Sequence, residues 1–252
     1  RGRGGGDSSH NAVMLAPLLS SILSLTAPAP TELGRRAAIA SALLTTLAPR
    51  LPAYAAGEER SRLLSAIQSG GDVEAALAAL LPLDPSRGKA ATSTVLGGEW
   101  RLLWSAKTEA FSPLLNLPRP IRPASLQLLG EPAAREVGQG RVAQVLQWSA
   151  VEQVLSSGVM PAPDDASVLE IFPPFRLELG VRGLGRLTLV EAGSDADFRA
   201  INARDADAQA APRNRYQQLY LDTSGQPGDI RVSKVVSGDP VIVGATFVHE
   251  RI

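Results

Sequence analysis

Gly97-Gly98-Glu99-Trp100-Arg101-Leu102-Leu103-Trp104-Ser105 decides the fold class of this chain. Trp100, Leu102 and Trp104 recur at every second position, so an extended strand over residues 99–106 carries all three on one face. Similar short runs follow at 125–129, 141–149, 216–222, 229–236 and 241–251. Residues 168–181 form a longer apolar stretch interrupted at Pro173-Pro174, which predicts two strands or one broken strand. Gly183-Leu184-Gly185 reads as a hairpin turn leading into a strand over 186–191. A polar segment, rich in Ala, Asp and Arg, spans 192–215. Eight or nine short strands with turn signals between them predict an all-β sandwich or barrel. Closure removes the exposed edges that such strands otherwise leave. An eight-stranded interior either fills with side chains or holds one small ligand.

Upstream the period changes. Leu63, Leu64 and Ile67 recur at helical spacing and stop at Gly70-Gly71. Asp72 stands where an N-cap belongs, before a second apolar face of Val73, Ala76, Leu77, Leu80 and Leu81 that Pro82 and Pro85 terminate. The fold class expected is therefore mainly β: an antiparallel β-barrel after a short N-terminal helical pair.

Residues 1–56 read as a targeting segment. Arg1, Arg3 and several serines occur in the first 32 residues, where Asp7 and Glu32 are the only acids. That is transit-peptide composition. Arg35-Arg36 then precedes the apolar run 37–48, and Ala53-Tyr54-Ala55 offers an A-x-A cleavage site, as in a twin-arginine signal. Such a pair of signals addresses the thylakoid lumen, and the folded domain is expected over 57–252.

Composition removes several classes of function. Lys+Arg and Asp+Glu are both 25, and no basic run or basic–aromatic stripe appears, which argues against a nucleic-acid partner. Cysteine is absent, so thiol nucleophiles, disulfides and cysteine metal sites are excluded. No apolar run reaches the roughly 18 residues of a membrane-spanning helix. Hydrophobic residues make up 44% and aromatics 4%, so the core must be mainly aliphatic.

The opening strand resembles the G-x-W-x-L-x-Tyr-Thr/Ser strand of the plastid lipid-associated proteins, or fibrillins. Ser112-Pro113-Leu114-Leu115 with Pro118 resembles that family's Leu- and Pro-rich connection. Tyr220-Leu221-Asp222 followed by Asp229-Ile230-Arg231-Val232-Ser233-Lys234 resembles its Tyr-Leu-Asp…Leu-Arg-Ile-x-Arg segment, and Phe247-Val248-His249-Glu250-Arg251 its closing strand. The chain departs from the pattern at Trp104 (for Tyr), at Gln144 (near a favoured Asn), at Lys234 (for Arg) and in a longer turn over 223–228. The resemblance implies a lipocalin-like barrel and a chloroplast location at thylakoids or plastoglobules. It also implies apolar ligands such as quinones, carotenoids or fatty acids, held without catalysis and without a cofactor.

Individual residues carry sharper expectations. In lipocalin-like barrels a G-x-W tryptophan packs under a basic residue from the last strand, which assigns Trp100 and Arg251 to a floor pair held by cation–π attraction. Leu102, Trp104, Leu146, Leu177, Leu187 and Val243 are the expected inward-facing ligand contacts. Such a lining favours a neutral apolar ligand over a phospholipid or nucleotide. Trp148, Phe172, Phe175 and Phe247 are strand aromatics of the core, one or two of them at a cavity mouth. Asp222 and Arg231 flank a hairpin, where a salt bridge or a turn cap is expected. His249 has neither a G-x-S-x-G elbow nor further metal ligands with it, so it reads as a strand histidine with a solvated or satisfied ring. Asp195, Asp197, Asp205 and Asp207 lack calcium-loop spacing. Two other readings stay open: an assembly factor of a thylakoid complex with a filled barrel, and an enzyme acting on an apolar substrate.

Overall fold

The computed structural model describes residues 50–106, 113–118, 120–181, 184–193 and 213–252. The transit-like stretch, Arg35-Arg36 and the four aspartates of the polar segment lie outside the described residues. Helix α1 runs Arg50–Ser69, so Ala53-Tyr54-Ala55 lies within helical backbone. Helix α2 follows over Val73–Leu80, and the Asp72 side chain accepts from the Ala75 N–H as its N-cap.

One antiparallel sheet of nine strands makes up the body. Its strands are β1 (Gly98–Ser105), β2 (Ala124–Leu129), β3 (Arg141–Trp148), β4 (Val151–Pro161), β5 (Val168–Val181), β6 (Gly185–Ala192), β7 (Asn214–Leu221), β8 (Ile230–Ser237) and β9 (Thr246–Arg251). Each strand pairs with the next in sequence, apart from β6 with β7, and β9 pairs back to β1. The first half of β5 pairs with β7 and its second half with β6. Eight strands thus close a ring, and β6 lies outside it as the third strand of a β4–β5–β6 arm.

The core has an outer and an inner part. Outside, α1 and α2 lay Leu63, Val73, Leu77 and Leu80 against Tyr220, Ile230, Val232 and Val248 of β7, β8 and β9. Arg60 secures the contact by donating to the Gly228 carbonyl at 2.8 Å. A third helix, α3 (Glu131–Val137), packs Ala133 on Leu128, Ala143, Val145 and Val154. Inside, the 3₁₀ turns Ala90–Thr92 and Thr94–Leu96 plug one end of the ring beneath Trp100, Leu129, Val142 and Leu221. Toward the other end Phe247, Val235 and Ala245 pack with Tyr216, Ile242 and Val243.

Four differences from the sequence expectation have physical causes. Strand β4 was not expected, because Ser156-Ser157-Gly158 in its middle has the composition of a turn; the structure uses those residues for a β-bulge between Ser156 and Gly158. The 14-residue β5 is a single strand despite Pro173-Pro174, since β4 pairs with both of its halves across that bulge. Helix α3 is short and begins with Glu131-Pro132 straight after β2, so it carries little periodic signal. Strand β9 starts at Thr246 rather than 241, because Asp239 accepts from the Ile242 and Val243 N–H groups and curls that stretch into a turn.

Candidate functional site: the ring interior

The ring floor is built on Trp100. Its indole N–H donates to the Leu96 carbonyl at 2.9 Å. The Arg251 guanidinium carbon lies 4.4 Å from the ring centre, and that of Arg231 lies 5.1 Å away. Arg251 also donates to the Gly97 carbonyl at 2.9 Å and to the Val95 carbonyl. One indole therefore carries two guanidinium groups, from β8 and from β9.

Above the floor the interior is polar. Cross-strand pairing brings Gln144 opposite Gln127, Gln127 opposite Trp100, and His249 opposite both Leu102 and Arg231. Arg231 is 1% exposed and donates to Gln127 Oε1. Burial and the like charge of Arg251 push its pKa down to about 9. His249 is buried, and its Nδ1 has no hydrogen-bond partner. Burial, with Arg231 beside it, holds the imidazole well below its usual pKa, so it is neutral. Gln144 turns its amide to Ser125 Oγ and the Leu126 carbonyl, at 2.8 and 2.9 Å. Tyr216 is raised to about 12 by burial and by Asp239, and so stays protonated.

Two adjoining cavities occupy this space. A water-sized void of about 10 Å³ lies among Leu102, Gln127, Gln144, Tyr216, Ser233, Phe247 and His249. A larger one, about 240 Å³, shares Gln127, Gln144 and Tyr216 with it. Its apolar walls are Val142, Leu155, Ile171, Phe175 and Ile242, and its other polar groups include Ser157, Asn214 and Asp239. A third cavity, about 600 Å³, is a groove on the outer face beside α3, where Arg186 bridges Glu136 and Glu152 at 2.9 and 2.7 Å. Arg186, Glu136 and Glu152 are thus engaged with one another there.

The expected contacts are dispersed by this geometry. Leu102 and Val243 pack in the Phe247 cluster, and Leu102 lines the small void. Leu146 is buried on the face of β3 that carries Gln144. Leu177 sits opposite Leu155, a wall of the larger cavity. Trp104 is not inward: a bulge between Leu102 and Trp104 reverses the alternation and packs it with the outer helical cluster. Leu187 is not inward either. It is 67% exposed on β6, which lies outside the ring. Trp100 and Arg251 are in contact, as described above.

Arg231 and His249 correct the sequence reading. Arg231 turns into the ring instead of meeting Asp222, which accepts from Tyr220 OH and the Ile230 N–H and pairs with Arg60 at 3.6 Å. His249 is neither solvated nor satisfied at Nδ1. The signal for both was alternation: Val232 and Val248 face the helices, so their neighbours Arg231, Ser233, Phe247 and His249 must face in.

Groups of three or more potential metal-ligating side chains are absent among the described residues. No protein-family model, no curated protein and no solved structure matches this chain.

The β4–β5–β6 arm adds a second surface. Val151, Leu155, Leu177, Leu179, Val181 and Leu187 share one face of it through direct cross-strand pairing. Glu152, Arg176, Glu178, Arg186 and Glu191 occupy the other, where Arg176 pairs with Glu191 at 3.2 Å. Leu155 belongs both to the apolar face and to the larger interior cavity.

Proposed function

We propose that this chain is a plastid lipid-associated protein of fibrillin type, with a lipocalin-like barrel, that binds or organises apolar molecules at thylakoids or plastoglobules and performs no catalysis. The observation that carries the reading is the interior cavity of about 240 Å³, walled by Val142, Leu155, Ile171, Phe175 and Ile242 and continuous through Leu155 with an exposed apolar sheet face. Apolar walls with a few convergent polar groups are the form of a small-molecule site; at about 240 Å³ the cavity falls short of the roughly 300 Å³ at which such sites begin, so part of a ligand would extend along the apolar sheet face. An exposed apolar patch backed by charge is what a lipid surface requires. The eight-strand ring and the Trp100–Arg251 floor support the lipocalin-like part. The polar interior argues against a barrel filled only by its own core residues, which is what an assembly factor without ligand would have. Native extraction from the source tissue followed by mass spectrometry of co-purifying small molecules tests the proposal. Quinones, carotenoids or fatty acids in stoichiometric amount support it; a chain that carries none, and takes up none when supplied, overturns it.

A further inference from the structure

Arg231 is a buried cation without an anion. The arginines that do pair with a carboxylate, such as Arg60, Arg101, Arg186, Arg213 and Arg215, are more exposed than Arg231. Among the described residues no carboxylate pairs with Arg231. Its contacts are the Trp100 ring, the Gln127 carbonyl oxygen and a like charge, Arg251, while its own Nε has no acceptor. The Arg231 guanidinium keeps its proton at neutral pH, so this interior holds a positive charge. Isolated charges in a medium of low polarisability are strongly disfavoured unless an opposite charge accompanies them.

Gln127 connects that charge to the cavities. It gives its carbonyl oxygen to Arg231, and its amide N–H₂ has no acceptor among the described residues. It lines both the small void and the larger cavity. A guanidinium bonded to the carbonyl polarises the amide and makes those N–H groups stronger donors. The interior therefore offers donors backed by one positive charge at the end of an apolar-walled space.

We propose that the ring interior is a carboxylate site: a ligand with an apolar body and one carboxylate sets that group against the Gln127 amide, with Arg231 behind it. This rests on the ligand-binding reading above and replaces the expectation of a neutral ligand. The body lies among Val142, Leu155, Ile171 and Phe175. Arg251, the second guanidinium on the Trp100 ring, is engaged by the Gly97 and Val95 carbonyls, so Arg231 is the one bonded to Gln127 and a single negative charge matches it. Asp239 also lines the larger cavity and opposes every added negative charge, the second charge of a phosphate dianion most of all.

Calorimetric titration of the full chain at pH 8 with hexadecanoic acid, hexadecanol and methyl hexadecanoate tests this. The acid should bind at least roughly ten-fold more tightly than the alcohol or the ester, the scale of one charge-assisted hydrogen bond. Gln127→Glu would place the missing carboxylate beside Arg231. It should raise the Tm of the ligand-free protein and erase the acid's advantage while leaving alcohol binding in place. Arg231→Met should erase the same advantage. Equal affinities for acid, alcohol and ester overturn the carboxylate site but leave the ligand-binding reading intact, as does an acid preference that survives Gln127→Glu. Binding of none of the three overturns the carboxylate site as well, and the ligand-binding reading falls with it only if quinones and carotenoids are not taken up either.

Discussion

Arg251 holds its guanidinium 4.4 Å from the centre of the Trp100 indole, and the two residues face each other across the β1–β9 ladder. That ladder closes the ring, and the same arginine bonds the carbonyls of Gly97 and Val95 in the turn that plugs its floor. Sheet closure and floor closure therefore share one contact.

Trp100→Ala should cost about 3–5 kcal/mol, the usual range for a fully buried large aromatic. It strands two guanidinium groups as well as opening a cavity, so the upper part of the range is expected. Arg251→Met keeps the side chain's volume and should cost less. A double-mutant cycle by urea unfolding should show a coupling energy above about 0.5 kcal/mol. Additive single effects would mean that the stacking contributes nothing.

Gly98 is placed where only glycine fits. Its φ is 155°, and a Cβ there would stand 2.1 Å from Arg251 Nη1. Gly98→Ala should destabilise by about 1–3 kcal/mol, the scale of forced overpacking. The loss should be smaller in an Arg251→Ala background, where the clashing group is gone. An equal loss in both backgrounds would assign the cost to backbone conformation alone.

Much of this arrangement was legible in the sequence, and the limits have identifiable causes. Trp100 could be paired with Arg251 because a motif fixes both strand positions. Single-residue alternation carried most strands, but one extra residue at a bulge inverts every later side chain. That is why Trp104 faces the helices although Trp100 and Leu102 do not. Leu187 alternates as an inner strand would, yet its strand pairs with β5 alone, and pairing partners are not a local property. Arg231 sits beside Asp222 in a hairpin of the kind that usually forms a surface pair. Its inward turn follows only once helices α1 and α2 are known to cover Val232.

His249 sets an expected acid limit on stability. Its folded-state pKa is depressed by burial and by Arg231, so the unfolded chain binds the proton more readily. The contribution is therefore complete above the unfolded value, about 6.5, and is lost as pH falls below it. The loss should grow as pH falls below that value, at a slope no steeper than about 1.4 kcal/mol per pH unit. His249→Gln should flatten that part of the profile, as measured by urea unfolding at a series of pH values. A wild-type curve that stays level over this range would mean that the buried imidazole takes up its proton without penalty.

The arm should bind lipid through its apolar face, not through charge. Its other face is held by Arg186 to Glu136 of α3 and to Glu152, so the side with Leu179 and Leu187 is the one left to solvent. Burying apolar surface yields about 25 cal/mol per Å², so a handful of aliphatic side chains suffices for reversible adsorption. Flotation with uncharged phosphatidylcholine vesicles should carry the protein, and added salt should leave the bound fraction unchanged because few charges take part. Leu179→Glu with Leu187→Glu should abolish flotation. Both side chains are substantially exposed, 43% and 67%, so the double variant should keep the wild-type Tm. Binding restricted to anionic vesicles and lost in salt would instead place the contact on the charged side of the arm, and the apolar face would then need another explanation.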